Sequence, residues 1–564
     1  MERIKLSNFR KIEDNWSLDL APITFFTGTN NSGKSTVIKS LLLLEDYVKS
    51  NDHFELNFHG NNFYKHKIES FKSAVNRVNY KELNKDISFE YQNNGYKITL
   101  IFQTGHHHQN GVLKNLRMVR SDKATIEMNL ESLNTYQLKV DSLLMNKSKK
   151  TDNLKELTQE EILINNKNEI QNLINDGQSR IKYIESELIE ISSAIKESQS
   201  KDVSSLPEFY QNDYQNKTEE LKKIVSESNK GIISLNQMIL EYEKKNNKID
   251  KLLKKQTVDN KILFYSPRFS LDDFSISNRR IDKIIRTVLP KYLVDNNLGS
   301  KRKKNDFKNS DESLELDKAN KLGDELLLAL SFNVKHLSPN RSSQNKIFIH
   351  ENKDVDINSL VQNHFEKQLH SDLTVLEFMK KWMSKDYFDI GDDYRITTYE
   401  STVSKIEVFE DESWINLSDK GFGAGQVFSI LLAIASSILE NQRKVAEKGA
   451  LFQEDLSVIL IEEPEANLHP GLQSKLAELF LEANLKFGVR FILETHSEYM
   501  IRMSQIIVKQ INEKEENTKT PFEAYYFDKQ DKPYSMIYRK DGKFTNEFGS
   551  GFFDVSSNLA FDIL

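Results

Sequence analysis

The segment Gly28-Thr-Asn-Asn-Ser-Gly-Lys-Ser-Thr36 combines two glycines, a lysine and a serine in the spacing G-x-x-x-x-G-K-S. It follows the short apolar run Ile23-Thr-Phe-Phe-Thr27, and the apolar spacing after it predicts a helix from Gly33 to about Val48. A glycine-rich turn between a buried strand and a helix N-terminus presents backbone N–H groups and a favourable dipole to an anion. The segment therefore predicts a phosphate-binding loop.

Each residue type in this P-loop has a chemical reason to be there. Gly28 and Gly33 let the backbone wrap phosphates, while Lys34 is suited to bridge β and γ oxygens. The hydroxyl of Ser35 is suited to ligate Mg²⁺, so the predicted cofactors are ATP and Mg²⁺. The predicted nucleotide-binding residues of the loop are Gly28, Asn30, Asn31, Ser32, Gly33, Lys34, Ser35 and Thr36.

A second segment supplies the carboxylates that a P-loop requires. Val458-Ile-Leu-Ile461 is typical of a buried parallel strand, and Glu462 and Glu463 follow at its carboxyl end, where α/β sheets place their sites. We expect Glu462 to hold Mg²⁺ through water. We expect Glu463 to orient and polarise the attacking water as the catalytic base. The predicted fold class is α/β.

A third apolar run, Phe491-Ile-Leu-Glu494, leads into Thr495-His496. A lone histidine at a strand end is usually structural. Here, however, the acidic pair continues as Glu463-Pro-Glu-Ala-Asn-Leu-His-Pro470, and the whole series resembles the Walker B, D-loop and switch-histidine order of ABC-type ATPases. This resemblance implies that His496 senses the γ-phosphate and is catalytic together with Glu463.

Leu417-Ser-Asp-Lys-Gly-Phe-Gly-Ala-Gly-Gln426 opens an apolar helix and resembles the signature motif of the same ATPases. In those proteins the motif binds the γ-phosphate held by the other subunit, because its helix N-terminus points across the dimer. The resemblance implies a head-to-tail homodimer around two nucleotides, with Gly423, Gly425 and Gln426 as binding residues. The commoner family form has serine in place of Gly425, so one side-chain contact is expected to be lost.

Three further motifs resemble stand-alone, SMC-like bacterial ATPases related to the OLD (overcoming lysogenization defect) family: Asn8-Phe-Arg10, His336-Leu-Ser-Pro-Asn-Arg341 and Phe548-Gly-Ser-Gly-Phe-Phe-Asp554. The resemblance implies an ABC-type P-loop fold of two lobes and makes Arg10 a candidate nucleotide contact. Arg341 is either a nucleotide contact or a residue of the core or an interface. OLD-family nucleases carry a Toprim domain after the switch histidine, and residues 497–564 are expected to be too short for one.

Between the P-loop and the acidic pair the composition becomes charged and helical. Apolar residues recur every three or four positions within 154–255, on both sides of the breaker Asp202-Val-Ser-Ser-Leu-Pro207. This pattern predicts an inserted antiparallel coiled-coil hairpin, and two ordinary packed helices are the alternative. The predicted units are ATPase lobe I at 1–150, the hairpin at 151–260, a connecting segment with a mobile basic loop within 298–314 at 261–330, and ATPase lobe II at 331–564.

The resemblance implies a dimeric ATPase subunit of a bacterial antiphage defence system that controls a separately encoded effector, such as an HNH nuclease. The alternative is a DNA-repair or chromosome-maintenance ATPase of the RecF or SMC type. It would use lysines at 244–255 to bind DNA phosphates, although a solvated helix face is the favoured explanation of these lysines. An ABC transporter subunit is disfavoured because the long hairpin and the form of the D-loop are foreign to that class.

Composition excludes several other classes. The chain has 564 residues and no cysteine, which excludes disulfides and thiolate zinc sites and fits a cytoplasmic location. The N-terminus is charged from its second residue and lacks the apolar region of a secretory signal. The longest mostly apolar stretch, Val427 to Leu439, is too short to span a bilayer and predicts a buried helix. The net charge of −6 argues against a whole-surface nucleic-acid binder.

Overall fold

The computed structural model describes most of the chain outside the predicted hairpin. The described residues are 1–81, 86–105, 109–132, 134–141, 144, 264–295, 308–342, 345–350, 356–400, 402–448, 457–514, 520–529, 532–549 and 553. The hairpin predicted at 154–255 and its lysines lie outside these residues, so the hairpin stays a prediction.

Twenty β-strands are formed by the described residues: β1 Arg3–Ser7, β2 Trp16–Asp19, β3 Ile23–Gly28, β4 Glu55–Leu56, β5 Ile87–Asn93, β6 Tyr96–Thr104, β7 Gly111–Arg120, β8 Thr125–Ser132, β9 Thr135–Asp141, β10 Phe264–Tyr265, β11 Arg268–Ser270, β12 Val334–Leu337, β13 Phe348–Ile349, β14 Asp393–Tyr399, β15 Val403–Glu410, β16 Ser413–Asn416, β17 Val458–Glu462, β18 Arg490–Glu494, β19 Phe522–Phe527 and β20 Tyr534–Ser535.

The α-helices in the same part of the chain are α1 Lys34–Lys49, α2 Phe63–His66, α3 Phe71–Ala74, α4 Arg77–Lys81, α5 Ile281–Asp295, α6 Lys308–Leu330, α7 Asp356–Lys367, α8 Leu373–Met383, α9 Phe422–Lys448, α10 Pro470–Phe487 and α11 Glu498–Lys514. The predicted mixture of strands and helices is therefore confirmed as an α/β architecture.

A mainly parallel sheet carries the sequence motifs. Its strand order is β12-β17-β18-β3-β19-β20, and only the edge strand β20 is antiparallel to its neighbour. All six residues of β3 are buried, with Phe26 in one hydrophobic cluster and Phe25 in the other, because this strand is covered on both faces. Glu462 lies opposite Glu494 in the register, so the carboxyl ends of β17 and β18 present their acids at one edge of the sheet.

An antiparallel sheet of ten strands packs its apolar face against α1. Its main order is β10-β9-β8-β7-β6-β5-β1-β2, with β11 on β9 and β4 on β7. Strands β5 and β6 form a hairpin around Asn94-Gly95, where both residues have positive φ. A smaller antiparallel sheet of β13, β14, β15 and β16 precedes α9 in the chain.

One sequence-based boundary is wrong, and one short strand has no clear signal in the sequence. Strand β2 is only four residues long and pairs with β1. The predicted loop at 298–314 overlaps α6, because that helix already begins at Lys308. Short strands and charged helix ends both lack the long apolar period on which sequence assignment depends.

The long apolar helix α9 belongs to the core. Its segment Phe422–Lys444 is long and apolar enough to cross a membrane by length and composition, yet 83% of its most apolar window is buried inside the fold. Val427, Phe428 and Leu431 are at most 1% exposed and join the hydrophobic cluster around the parallel sheet. The prediction of a buried helix is confirmed, and the helix extends further on both sides than the predicted stretch.

The chain leaves and re-enters the antiparallel sheet at adjacent positions. β9 and β10 are paired, with Asp141 opposite Phe264. The chain divides into one unit made of Met1–Met145 and Phe264–Leu564, and a second unit, Asn146–Leu263. The described fold is thus continuous across the point where the second unit is inserted.

Candidate nucleotide site

The loop between β3 and α1 requires its two glycines. Gly28 has a φ of 122°, and a Cβ there would lie 2.1 Å from the carbonyl oxygen of Phe527. Gly33 has a φ of 114°, and its Cβ would lie 2.6 Å from the ring of Trp16. No side chain can be added at either position without moving β19 or β2. The backbone is therefore held close to its neighbours, with Asn30 and Asn31 exposed at its tip.

Lys34 folds back onto this loop. Its side chain is buried, and Nζ donates to the carbonyl oxygens of Gly28 at 3.0 Å and Thr29 at 2.9 Å. Burial lowers the pKa of Lys34, while the charges of Glu494 and Glu463 act to raise it. The ammonium and the N–H groups at the start of α1 therefore form one electropositive surface.

The predicted acidic pair occupies the end of β17. Glu462 is half-buried, and its Oε1 lies 2.7 Å from Nε2 of His336 on the neighbouring strand β12. Glu463 is exposed and has a φ of 49°, and its N–H donates to the carbonyl oxygen of Glu494 at 2.7 Å. The two carboxylates therefore have different surroundings: that of Glu462 lies against a histidine, and that of Glu463 is open to solvent.

Glu494 is a site residue that the sequence interpretation missed. Both of its carboxylate oxygens accept from Ser35 Oγ, at 3.1 and 3.2 Å, and the residue is 9% exposed. Burial, and then the charge of Glu462, raise the pKa of Glu494 to about 7. The sequence predicts Ser35 and Glu462 as the metal-binding pair, whereas the structure brings Ser35 into contact with Glu494. The available signal was an acid that ends a buried strand just before the predicted switch histidine.

This donor set fits a divalent cation bound together with a nucleotide. The Ser35 hydroxyl and the Glu494 and Glu462 carboxylates are hard oxygen donors of the kind that Mg²⁺ prefers. Among the described residues, no group of three or more His, Asp or Glu side chains is arranged to hold a metal by itself. Mg²⁺ commonly takes only one or two carboxylates and completes its shell with water and phosphate oxygens. Bound here, it would neutralise charge on the phosphates.

Glu494→Gln is expected to change the pH dependence of stability. Folding raises the pKa of this carboxyl from 4.5 to about 7, so the folded state binds the proton more tightly, and stability is lost as pH rises between these values. Glutamine does not ionise, so the variant should be more stable than the wild type at pH 8 by up to about 3 kcal/mol, and about equally stable at pH 4. Urea unfolding at both pH values measures this difference.

Glu440→Gln provides a control of opposite sign. Burial raises the pKa of Glu440, but Lys335 and Lys367 outweigh it and hold this pKa below its usual value. Its stabilising contribution is present above the unfolded pKa, so Glu440→Gln should destabilise the protein at pH 8. If Glu494→Gln loses stability with rising pH as the wild type does, then Glu494 is not the destabilising acid.

The predicted switch histidine lies on the loop after β18. His496 is exposed, and its backbone N–H donates to Glu465 Oε1 at 2.7 Å, while Thr495 Oγ1 donates to Glu465 Oε2 at 2.9 Å. Desolvation, and secondly the charge of Lys34, lower the pKa of His496, which keeps the imidazole neutral near pH 7. Glu465 is a second residue missed from sequence, and it ties the D-loop to the histidine loop.

The signature segment contacts the D-loop of its own subunit. A Cβ at Gly423 would lie 2.7 Å from the carbonyl oxygen of Asn467, so the two backbones touch. A Cβ at Gly425, where the commoner family form has serine, would lie 2.3 Å from Ser342 Oγ, so a side chain there would require the Ser342 hydroxyl to rotate away. Gln426 is 0% exposed, and its polar atoms have no hydrogen-bond partner among the described residues. It was expected to reach a phosphate, but this helix face is turned into the core.

Arg10 lies beside the loop but is held by other elements. Its φ is 52°, and its backbone N–H donates to the carbonyl oxygen of Ala74 at 2.7 Å. Burial, and then the charge of Arg77, lower the pKa of Arg10. The adjacent Lys11, which sequence reasoning missed, donates from Nζ to the carbonyl oxygen of Asn31 in the P-loop. A nucleotide contact by Arg10 therefore stays a prediction.

Comparison with known proteins identifies a family that matches most of the chain. The family described as AAA ATPase domain matches residues 1–501. A search of curated proteins finds no match.

Three solved structures are similar to the chain. The Smc head domain with an extended coiled coil bound to the C-terminal domain of ScpA, from Pyrococcus furiosus, is 10% identical with a TM-score of 0.29, covering 100% of this chain and 98% of that chain. The Smc head domain with a coiled coil and joint, from Pyrococcus yayanosii, is 12% identical with a TM-score of 0.31, covering 96% and 97%. An SmcHead bound to the C-winged helix domain of ScpA is 10% identical with a TM-score of 0.28, covering 97% and 98%.

The family assignment rests on the domain match, which spans most of the chain and contains the P-loop, the acidic pair and His496. The chain belongs to the AAA ATPase domain family, and it is an ATPase.

Proposed function

We propose that this ATPase is the nucleotide-driven subunit of a bacterial antiphage defence system, similar to PtuA of Septu, and that it controls a separately encoded nuclease or toxin effector. In this proposal two copies close head to tail, and each ATP with its Mg²⁺ lies between the P-loop of one copy and the signature segment of the other. The catalytic base is Glu463, and His496 contacts the γ-phosphate.

The observation that supports the proposed dimer is a series of contacts that connects the P-loop with the signature segment within one subunit. Ser35 contacts Glu494, whose carbonyl oxygen accepts from the N–H of Glu463, and the D-loop that follows touches Gly423. These contacts connect the P-loop to the start of α9 through the acidic pair and the D-loop. In the proposed dimer a two-fold axis brings each signature segment over the P-loop of the other copy, so one operation completes two sites.

A surface for the effector is proposed on the inserted unit. Since β9 and β10 are paired neighbours, an insertion at this point need not disturb the sheet that supports α1 and the P-loop. Such an insertion can present a partner-binding surface and leave the ATPase fold intact.

Replacing residues 146–263 with a short Gly/Ser linker tests this proposal. The paired ends of β9 and β10 need only a short connection, so ATP affinity should stay within about threefold of the wild type. Binding of the protein encoded by the adjacent gene, co-expressed with a tag, should be lost. Fluorescent ATP titration and co-purification measure the two effects.

The linker variant also distinguishes the alternatives. If the effector still binds and is still controlled, it docks on the ATPase unit instead. If ATP binding is lost, residues 146–263 belong to the ATPase core. If the full-length chain binds DNA with an affinity that falls steeply with salt, and the variant does not, the DNA-repair function is favoured over the defence function.

A further inference from the structure

Arg341 is a fully buried cation that contacts the backbone of the acidic pair. Its exposed fraction is 0%. Nη1 donates to the carbonyl oxygens of Ser338 at 3.1 Å and Glu462 at 2.7 Å, and Nη2 donates to the carbonyl oxygen of Glu463 at 2.5 Å. The planar fork of the guanidinium spans two consecutive carbonyls, which the single ammonium of a lysine does not reproduce. Both acids are therefore held through their main chain.

Such a contact is needed because Glu463 has an unfavourable backbone. Its φ of 49° is in the left-handed region, which costs a residue with a Cβ about 1 kcal/mol or more and persists only where surrounding contacts impose it. Arg341 fixes the carbonyl on each side of this φ, and the carbonyl oxygen of Glu494 fixes the N–H of Glu463. The direction of the Glu463 carboxylate therefore depends on these bonds.

The backbone of Arg341 is tied in turn to the signature helix. Its carbonyl oxygen accepts from the N–H of Ile357 at 3.0 Å. It also lies 3.1 Å from Ser429 Oγ of α9, whose single proton is shared with the carbonyl oxygen of Gly425 at 2.8 Å. The next residue, Ser342, occupies the space in which a side chain at Gly425 would lie. A displacement of α9 would thus act on residues 341 and 342, and through the guanidinium on the acidic pair.

Burial makes this arrangement costly. Desolvation lowers the pKa of Arg341 to about 10, although the charges of Glu465 and other nearby acids act to raise it. The guanidinium therefore remains charged at neutral pH. Removing a charge from water costs free energy, which its hydrogen bonds to neutral carbonyls offset only in part. A local cost of this kind is typical of residues with a functional role.

We infer that Arg341 is a positioning residue, which holds Glu463 in the backbone conformation that directs its carboxylate and connects that conformation to the signature helix α9. The inference rests on the proposed catalytic role of Glu463. It needs no contact between Arg341 and the nucleotide, in contrast to one of the sequence-based interpretations of this residue.

Arg341→Lys is expected to lower kcat by about ten- to a hundredfold, because small errors in position have rate effects of this size. ATP affinity should remain within about threefold, since Glu463 orients water and does not bind phosphate. Arg490→Lys is the matched control: Arg490 is a partly buried arginine at the start of β18 that donates to the carbonyl oxygen of Leu20 at 2.8 Å. It should change stability without this selective loss of kcat.

The decisive comparison repeats Arg341→Lys in a Glu463→Gln background, using single-turnover hydrolysis of radiolabelled ATP. In this background there is no Glu463 carboxylate for Arg341 to position. Adding Arg341→Lys should therefore lower the rate by less than about twofold. An equal loss in both backgrounds, or an unchanged kcat for Arg341→Lys, overturns the inference. If Glu463→Gln alone hydrolyses ATP at the wild-type rate, the assignment of the catalytic base fails instead.

Ser429→Ala keeps the inference testable if Arg341→Lys does not fold. It removes the hydroxyl that the carbonyl oxygens of Arg341 and Gly425 share and leaves the guanidinium in place. Loss of one hydrogen bond should lower kcat by about two- to tenfold, again only while Glu463 is present. A wild-type kcat for Ser429→Ala would contradict the connection to α9.

Discussion

Glu463→Gln is expected to lower the rate of ATP hydrolysis by at least about a hundredfold and to leave ATP affinity within about threefold, because removal of a general base costs this much in rate. Glutamine has nearly the same shape and can keep the backbone bonds to Arg341 and Glu494. It does not accept a proton from the attacking water. ATP should therefore bind and remain uncleaved.

Glu412→Gln is the matched control for this variant. Glu412 is also exposed and also has a positive φ, 61°, but it lies in the turn between β15 and β16. The Glu412→Gln protein should hydrolyse ATP at the wild-type rate. Phosphate release under saturating ATP and titration with a fluorescent ATP analogue give the two quantities. Similar rates for both variants would show that Glu463 is not the base.

Lys34→Ala is expected to weaken ATP binding by at least about a hundredfold, since two charge-assisted hydrogen bonds to phosphate together contribute several kcal/mol. Alanine also removes the donor to the carbonyl oxygens of Gly28 and Thr29. Leaving such groups without a partner should lower the free energy of unfolding by about 1–3 kcal/mol.

Lys49→Ala removes a lysine from the other end of the same helix, where it pairs with Glu45. It should leave ATP affinity unchanged. Calorimetric titration with ATP and Mg²⁺, paired with a thermal unfolding curve for each variant, separates lost binding from lost folding. Tight ATP binding by a folded Lys34→Ala protein would contradict the proposed P-loop chemistry.

The sequence alone is sufficient to predict those parts of the site whose motif lies within a few consecutive residues. The P-loop, the strand that ends at Glu462 and the helix that follows Gly421 each have their own signal in a few consecutive residues. The contacts between motifs depend on strand order and register, which a single sequence does not contain. Ser35 meets Glu494, and His336 meets Glu462, only because β18 lies between β17 and β3 and β12 lies beside β17.

The burial of Gln426 could not be predicted from the sequence, for a different physical reason. Helix α9 is apolar on most of its surface, so its period does not show which face is covered. The position of Arg341 was also difficult to predict from the sequence, because an arginine is rarely fully buried. Its role became visible once the carbonyl oxygens of Glu462 and Glu463 were found on the same guanidinium.

The mass of the Glu463→Gln protein in solution tests the central claim most directly. A single chain is 65.6 kDa. With Mg²⁺ and ATP the account predicts a shift to twice this mass, which is absent with ADP and absent when Lys34→Ala is added. A mass that stays at that of one chain under saturating ATP would contradict nucleotide-driven closure of two copies.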